Sequence, residues 1–114
     1  MQAGKRCLKG SALKTEMKAV FFHPEAQEEM INSAVFYETK SNGLGYKFLN
    51  EIARSLDLIS VSPETWPVFS DDIRRFLLQR FPFGLLYEIH DDYLYIIAVM
   101  HLYREPFYWK NRLK

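Results

Sequence analysis

The sequence predicts an α+β domain. A short N-terminal strand is followed by an antiparallel two-helix hairpin on one face of a mostly antiparallel sheet, then a three-stranded C-terminal meander and a short C-terminal helix. Three observations predict it. Leu44, Phe48, Ile52, Leu56 and Ile59 recur at the spacing of an amphipathic helix. The stretch from Ile73 to His101 divides into three apolar runs, expected as strands over Phe76–Phe81, Leu85–Ile89 and Tyr93–Met100. The last two runs are joined by Asp91-Asp92, a pair of turn-forming type. The third run, YLYIIAVM, is apolar on both alternate faces, as expected of a central strand covered on both sides.

In chain order, residues 1–16 have little apolar periodicity and read as a disordered basic leader, with Met17 opening the folded unit, residues 17–114. Ala19–Phe22 is a short strand. His23-Pro24 starts the first helix, because proline suits a first turn and Glu25, Glu28 and Glu29 suit the positive helix end. Ala26, Met30, Ala34 and Tyr37, with Ile31 beside them, form its apolar stripe. Ser41-Asn42-Gly43 ends it, Gly43 taking the left-handed position. The second helix runs from Leu44 to the stop at Ser62-Pro63, and the short link makes the pair a hairpin. Pro63–Asp72 reads as a connecting loop, with Trp66 plugging the edge of the core. Pro106 starts the C-terminal helix, around which Phe107, Tyr108 and Trp109 cannot all face one side.

At 114 residues the chain is long enough for one core. It is 48% hydrophobic and 25% charged, and its 16% aromatic content leaves a surplus for a binding surface. One cysteine, Cys7, permits no internal disulfide and no cysteine zinc cluster, which agrees with a cytoplasmic location. No apolar run reaches the roughly 20 residues that span a membrane. Net charge is +1, but residues 17–71 hold eight acids against four bases and residues 72–114 seven bases against five acids. The sheet half is thus modestly basic, which permits an acidic or polyanionic partner.

Phosphate loops, zinc-binding helix pairs and nucleophile elbows are missing from the sequence. His23 reads as structural and His90 as a solvent-exposed strand end. The remaining candidates, Arg74, Arg80, His101, Arg104 and Tyr108, converge at the ends of the outer strands. A strict period of two places Tyr95 and His101 on one face, the face the helices leave uncovered. Arginines, a histidine and tyrosines there suit RNA phosphates and stacked bases. On residue types alone, a solvated face with ordinary surface arginines accounts for the pattern better, since no acid–base pair is fixed by local spacing.

FHPEAQEEM, FYETKSNGLGYKFLNEI, SPETWP, RRFLLQRFPFGLLYEI and IIAVMHLYREPFYW, in that order, resemble the RelE/ParE superfamily of bacterial type II toxin–antitoxin systems. The likeness is nearest to the ParE-like, plasmid-stabilisation branch and covers Lys18 to about Arg112. It implies the fold derived above and a growth-inhibiting toxin neutralised by a cognate antitoxin. It implies no cofactor or metal, no membrane and no small-molecule substrate. RelE-like members cleave ribosome-bound mRNA without a metal; ParE-like members poison DNA gyrase. The RNA-cleaving pattern has bases on the first meander strand and an arginine opening the next. Leu77 and Gly84 stand there instead, which favours the ParE-like branch. In the RNase alternative the candidate catalytic residues are Arg80, His101, Arg104 and Tyr108; a decayed, non-toxic member is a further alternative. For antitoxin or target binding, the expected surface comprises Tyr95, Tyr103, Arg104, Phe107, Tyr108 and Trp109, exposed around the last strand and C-terminal segment.

Overall fold

The computed structural model describes residues 18–113; the leader and Cys7 lie outside them. Among the described residues there are five strands and two α-helices: β1 (Ala19–Phe22), α1 (Pro24–Lys40), α2 (Leu44–Val61), β2 (Val68–Ser70), β3 (Ile73–Leu77), β4 (Phe83–Ile89) and β5 (Tyr93–His101). The sheet order is β1-β5-β4-β3-β2, antiparallel except for β1, which runs parallel to β5. As the sequence predicts, both helices pack on one face of this sheet.

The hairpin is locked at its link. Gly43 has φ +85°, the left-handed conformation expected of it. The Glu38 carboxylate of α1 accepts the amides of Gly43 (2.9 Å) and Gly45 (3.0 Å), so α1 caps the start of α2. A Cβ at Gly45 would sit 2.5 Å from the Ala34 carbonyl, so the helices approach too closely there for any side chain. His23 caps α1, its Nδ1 accepting the Glu25 amide (3.1 Å), which bears out a structural role for that residue. Phe48, Ile52 and Ile59 of α2 are buried against Leu85, Tyr87, Leu94 and Ile96. Ile31, expected beside the α1 stripe, is instead 47% exposed. Trp66 packs on Phe76 at 4.8 Å between ring centroids and closes that edge.

Four local readings are corrected. The first meander strand is Ile73–Leu77, displaced from Phe76–Phe81, because the buried Glu51 carboxylate takes the amides of Gln79 (2.5 Å) and Arg80 (3.1 Å) out of the ladder. The loop before it contains a 3-10 turn, Pro63–Thr65, and the edge strand β2. The C-terminal helix reduces to turns and one 3-10 turn, Lys110–Arg112. Most consequential, the second sheet face is covered. Trp109 is fully buried in a second core with Ile73, Leu86, Ile97, Ala98 and Met100, and its indole N–H donates to the Pro106 carbonyl (2.7 Å).

A β-bulge explains the faces. The β4–β5 register shifts between Leu86 (opposite Ala98) and Tyr87 (opposite Ile96), leaving Ile97 as the extra residue. Leu94 and Ile96 face the helices, Ile97, Ala98 and Met100 face Trp109, and Val99 returns to the helix side. Truncating Trp109 to alanine empties the centre of the second core. We expect Trp109→Ala to cost about 3–5 kcal/mol, measured by denaturant unfolding, with Phe107→Ala on the surface costing less than about 0.5 kcal/mol.

Candidate functional site

The bulge also decides which candidates meet. It puts His101 on the helix side, against Phe83 at 5.0 Å, while Tyr95 stays on the opposite face near His23 at 6.3 Å. The expected pairing of Tyr95 with His101 on one face is therefore corrected: a strict period of two fails across an inserted residue.

Around Glu29 the structure gathers residues distant in sequence. Its Oε1 accepts the Val99 amide (3.0 Å) and Arg112 Nη1 (3.1 Å); its Oε2 accepts Arg112 Nη2 (2.8 Å) and Arg104 Nη1 (3.4 Å). Arg112 also donates to the Ile97 carbonyl (3.0 Å) and pairs with Glu25 (3.3 Å). The Arg104 and Arg112 guanidinium carbons lie 3.7 and 5.0 Å from the centre of the Tyr108 ring. Burial alone would lower the Arg112 pKa, but the hydrogen bonds and charge of Glu29 outweigh it and hold it above the usual value. Tyr108 is pushed well above the usual phenol range, by burial first and by the Glu29 carboxylate second. Its hydroxyl is buried without a partner in hydrogen-bond geometry among the described residues. A phenol held neutral in this way is no general base near neutral pH.

The other sequence candidates fall elsewhere. Arg80 is tied to α2, its Nε 3.7 Å from Glu51, with 66% of its side chain exposed. Arg74 donates to the carbonyls of Trp66 (2.7 Å) and Glu64 (3.1 Å), fastening the loop before β2. Tyr103 is 88% exposed and Phe107 47% exposed, whereas Trp109, expected on the same surface, is core. Gly84 has a steric reason. The stem of Arg75 lies across it, 3.1 Å from where a Cβ would be, and carries its guanidinium over Phe69 at 4.5 Å. A side chain at position 84 would have to displace that arm.

Between α1 and the end of β5 lies a cleft of about 440 Å³. Phe36, Tyr37, Phe83 and Val99 make it mostly apolar; Asn32, Ser33, His101 and Arg104 supply polar groups. His101 is held by its Nδ1, which accepts the Tyr103 amide (3.1 Å). Sequence reasoning missed Glu29 and Arg112 as the centre of this region. The available signal was an acid one helical turn beyond the first turn of α1, but its partner lies 83 positions away. No group of ligating side chains that could hold a metal ion occurs among the described residues, and no described helix is long and apolar enough to cross a membrane.

Fold and cleft together define a class: a helical hairpin on a five-stranded sheet, sealed behind by its C-terminal segment and grooved at the seam of α1 and β5. A solved structure shares this fold. A chain of the "Chromosomal ParDE TA system from P. aeruginosa" matches with a TM-score of 0.64 at 14% identity, over 75% of this chain and 97% of that one. No protein-family model and no curated protein match the sequence.

Two expectations test the site. Glu29→Gln leaves the buried Arg112 with only the exposed Glu25 as counter-charge and should destabilise the fold by about 3 kcal/mol, read by chemical unfolding. Tyr87, which donates to the Pro63 carbonyl (2.6 Å), is raised from 10.0 to about 12 by burial, partly offset by Arg74. A raised phenol keeps its stabilising contribution below the unfolded pKa and loses it as pH rises through the folded one. Stability should therefore fall between about pH 10 and 12, and Tyr87→Phe should flatten that fall in an alkaline unfolding series.

Proposed function

We propose that the chain is the toxin of a toxin–antitoxin pair, ParE-like, acting by binding its target and neutralised by a cognate antitoxin. The supporting observation is the shared fold with the ParDE chain, over nearly all of that chain's length. The cation inventory supports binding over RNA cleavage. Arg112 is spent on Glu29 and Glu25, Arg104 is shared with Glu29, and Arg80 leans on Glu51. A phosphoryl transition state needs uncompensated cations with an acid and a base in reach. Around Tyr108 the cations are matched and the phenol is neutral. DNA gyrase is the target the sequence resemblance implies. The antitoxin surface in this reading is Tyr95, Tyr103, Arg104, Phe107 and Tyr108; Trp109 supports it from within the core.

Inducing the chain in bacteria without an antitoxin should arrest growth, and the purified protein should inhibit gyrase supercoiling while leaving ribosome-bound mRNA intact. Cuts at defined codons that vanish in Arg104→Ala would transfer the assignment to the RNase reading, for which the 3.7 Å contact of Arg104 with Tyr108 is the motivating geometry. Normal growth at verified soluble expression would indicate a non-toxic member.

A further inference from the structure

We propose that the outer edge of β1 pairs with the β1 edge of a second copy of this chain, antiparallel about a two-fold axis at Phe21, so that two five-stranded sheets join into one. The pairing needs nothing from the toxin reading.

The backbone carries the inference. Among the described residues β1 is the outermost strand on its side of the sheet, paired with β5 alone. The His23 amide donates to the Ile96 carbonyl (2.9 Å), which fixes the phase of the parallel ladder. Ala19, Phe21 and His23 therefore direct their main-chain groups to β5, and Val20 and Phe22 direct theirs outward. Those outward amides and carbonyls have no backbone partner among the described residues. Edge strands are ordinarily guarded by a charge, a proline or a bulge. The strand AVFF has none of these and keeps an unbroken register with β5. The neighbouring Lys18 does not guard it, since its ammonium is turned to the β4–β5 turn, donating to the carbonyls of His90 (2.8 Å) and Asp91 (2.7 Å).

The pattern along this edge selects a second copy. A two-fold axis at position 21 sets Val20 of each copy opposite Phe22 of the other, and each such pair exchanges both main-chain hydrogen bonds. Phe21 then meets its own mate as a non-hydrogen-bonded pair, with Cα atoms about 4.5 Å apart, the closest side-chain approach an antiparallel ladder offers. In the single copy the Phe21 side chain is 56% exposed. It stands edge-on to Tyr93 at 5.6 Å, and Tyr93 stacks on His90 at 4.4 Å, so pairing joins the two copies through one continuous aromatic row. The ends match in charge. Lys18 of one copy comes opposite Pro24 of the other, where α1 begins with the exposed Glu25 and Glu28. A strand of different sequence gains the hydrogen bonds but neither the Phe21 pair nor both charged ends. An edge of four residues buries less than a standard interface, so the association depends on concentration.

The test uses the full chain. Sedimentation at rising concentration should move from monomer to dimer, and Phe21→Lys, which sets like charges across the axis, should raise the dissociation constant at least about tenfold. In a Cys7→Ser background, Phe21→Cys should form an intermolecular disulfide under mild oxidation at least about tenfold faster than Leu58→Cys, a comparably exposed position on α2. The amides of Val20 and Phe22 should exchange more slowly as concentration rises. A monomer at every concentration, a dimer indifferent to Phe21→Lys, or cross-linking at position 21 no faster than at position 58 would overturn the proposal. Protection of Val20 and Phe22 that is the same at all concentrations would overturn it too, and would assign the edge to residues 1–17 of the same copy.

Discussion

One carboxylate holds the architecture together. Glu29 of α1 accepts from the Val99 amide of β5 and from two arginines of the C-terminal segment, so a single side chain joins the helical layer, an interior strand and the cover of the far sheet face. A half-buried charge is tolerated because four donors replace much of its hydration. The exchange also sets the cleft's character. Arg104 shares the Glu29 carboxylate with Arg112 and lies at the rim of the cleft.

Much of the fold was legible because its signals are local. The apolar spacing of α2, the left-handed Gly43 and the proline entry to α1 each act within a few residues, and the structure follows them. The limits of β3 were not legible. They depend on Glu51, 28 positions before Gln79, drawing two amides away from a run that otherwise reads as strand. The likeness to a ParDE chain at 14% identity fits this picture, since a spacing pattern survives where residue identities do not.

The site was less legible, for two physical reasons. A bulge has no mark in a run as uniformly apolar as YLYIIAVM, and one inserted residue moved His101 to the other face. Trp109 looked like surplus aromatic area because nothing else in the sequence offered to cover the second face. Its burial follows from the turns after Pro106, which an expected helix concealed. Tyr103 and Phe107, by contrast, keep the exposure expected of them.

The parallel pairing of β1 with β5 has a kinetic consequence. It joins Ala19 to Tyr93 and Phe22 to Ile96, pairings that close most of the chain into a loop. Loop-closure entropy delays such contacts, whereas the β4–β5 hairpin is joined by only three residues, His90, Asp91 and Asp92, and forms early. Folding should therefore begin in the hairpin and finish when β1 docks and carries α1, with Glu29, onto the sheet. Mutations in β1 would then speed unfolding and leave the folding rate nearly untouched, a pattern visible in the two arms of a chevron plot.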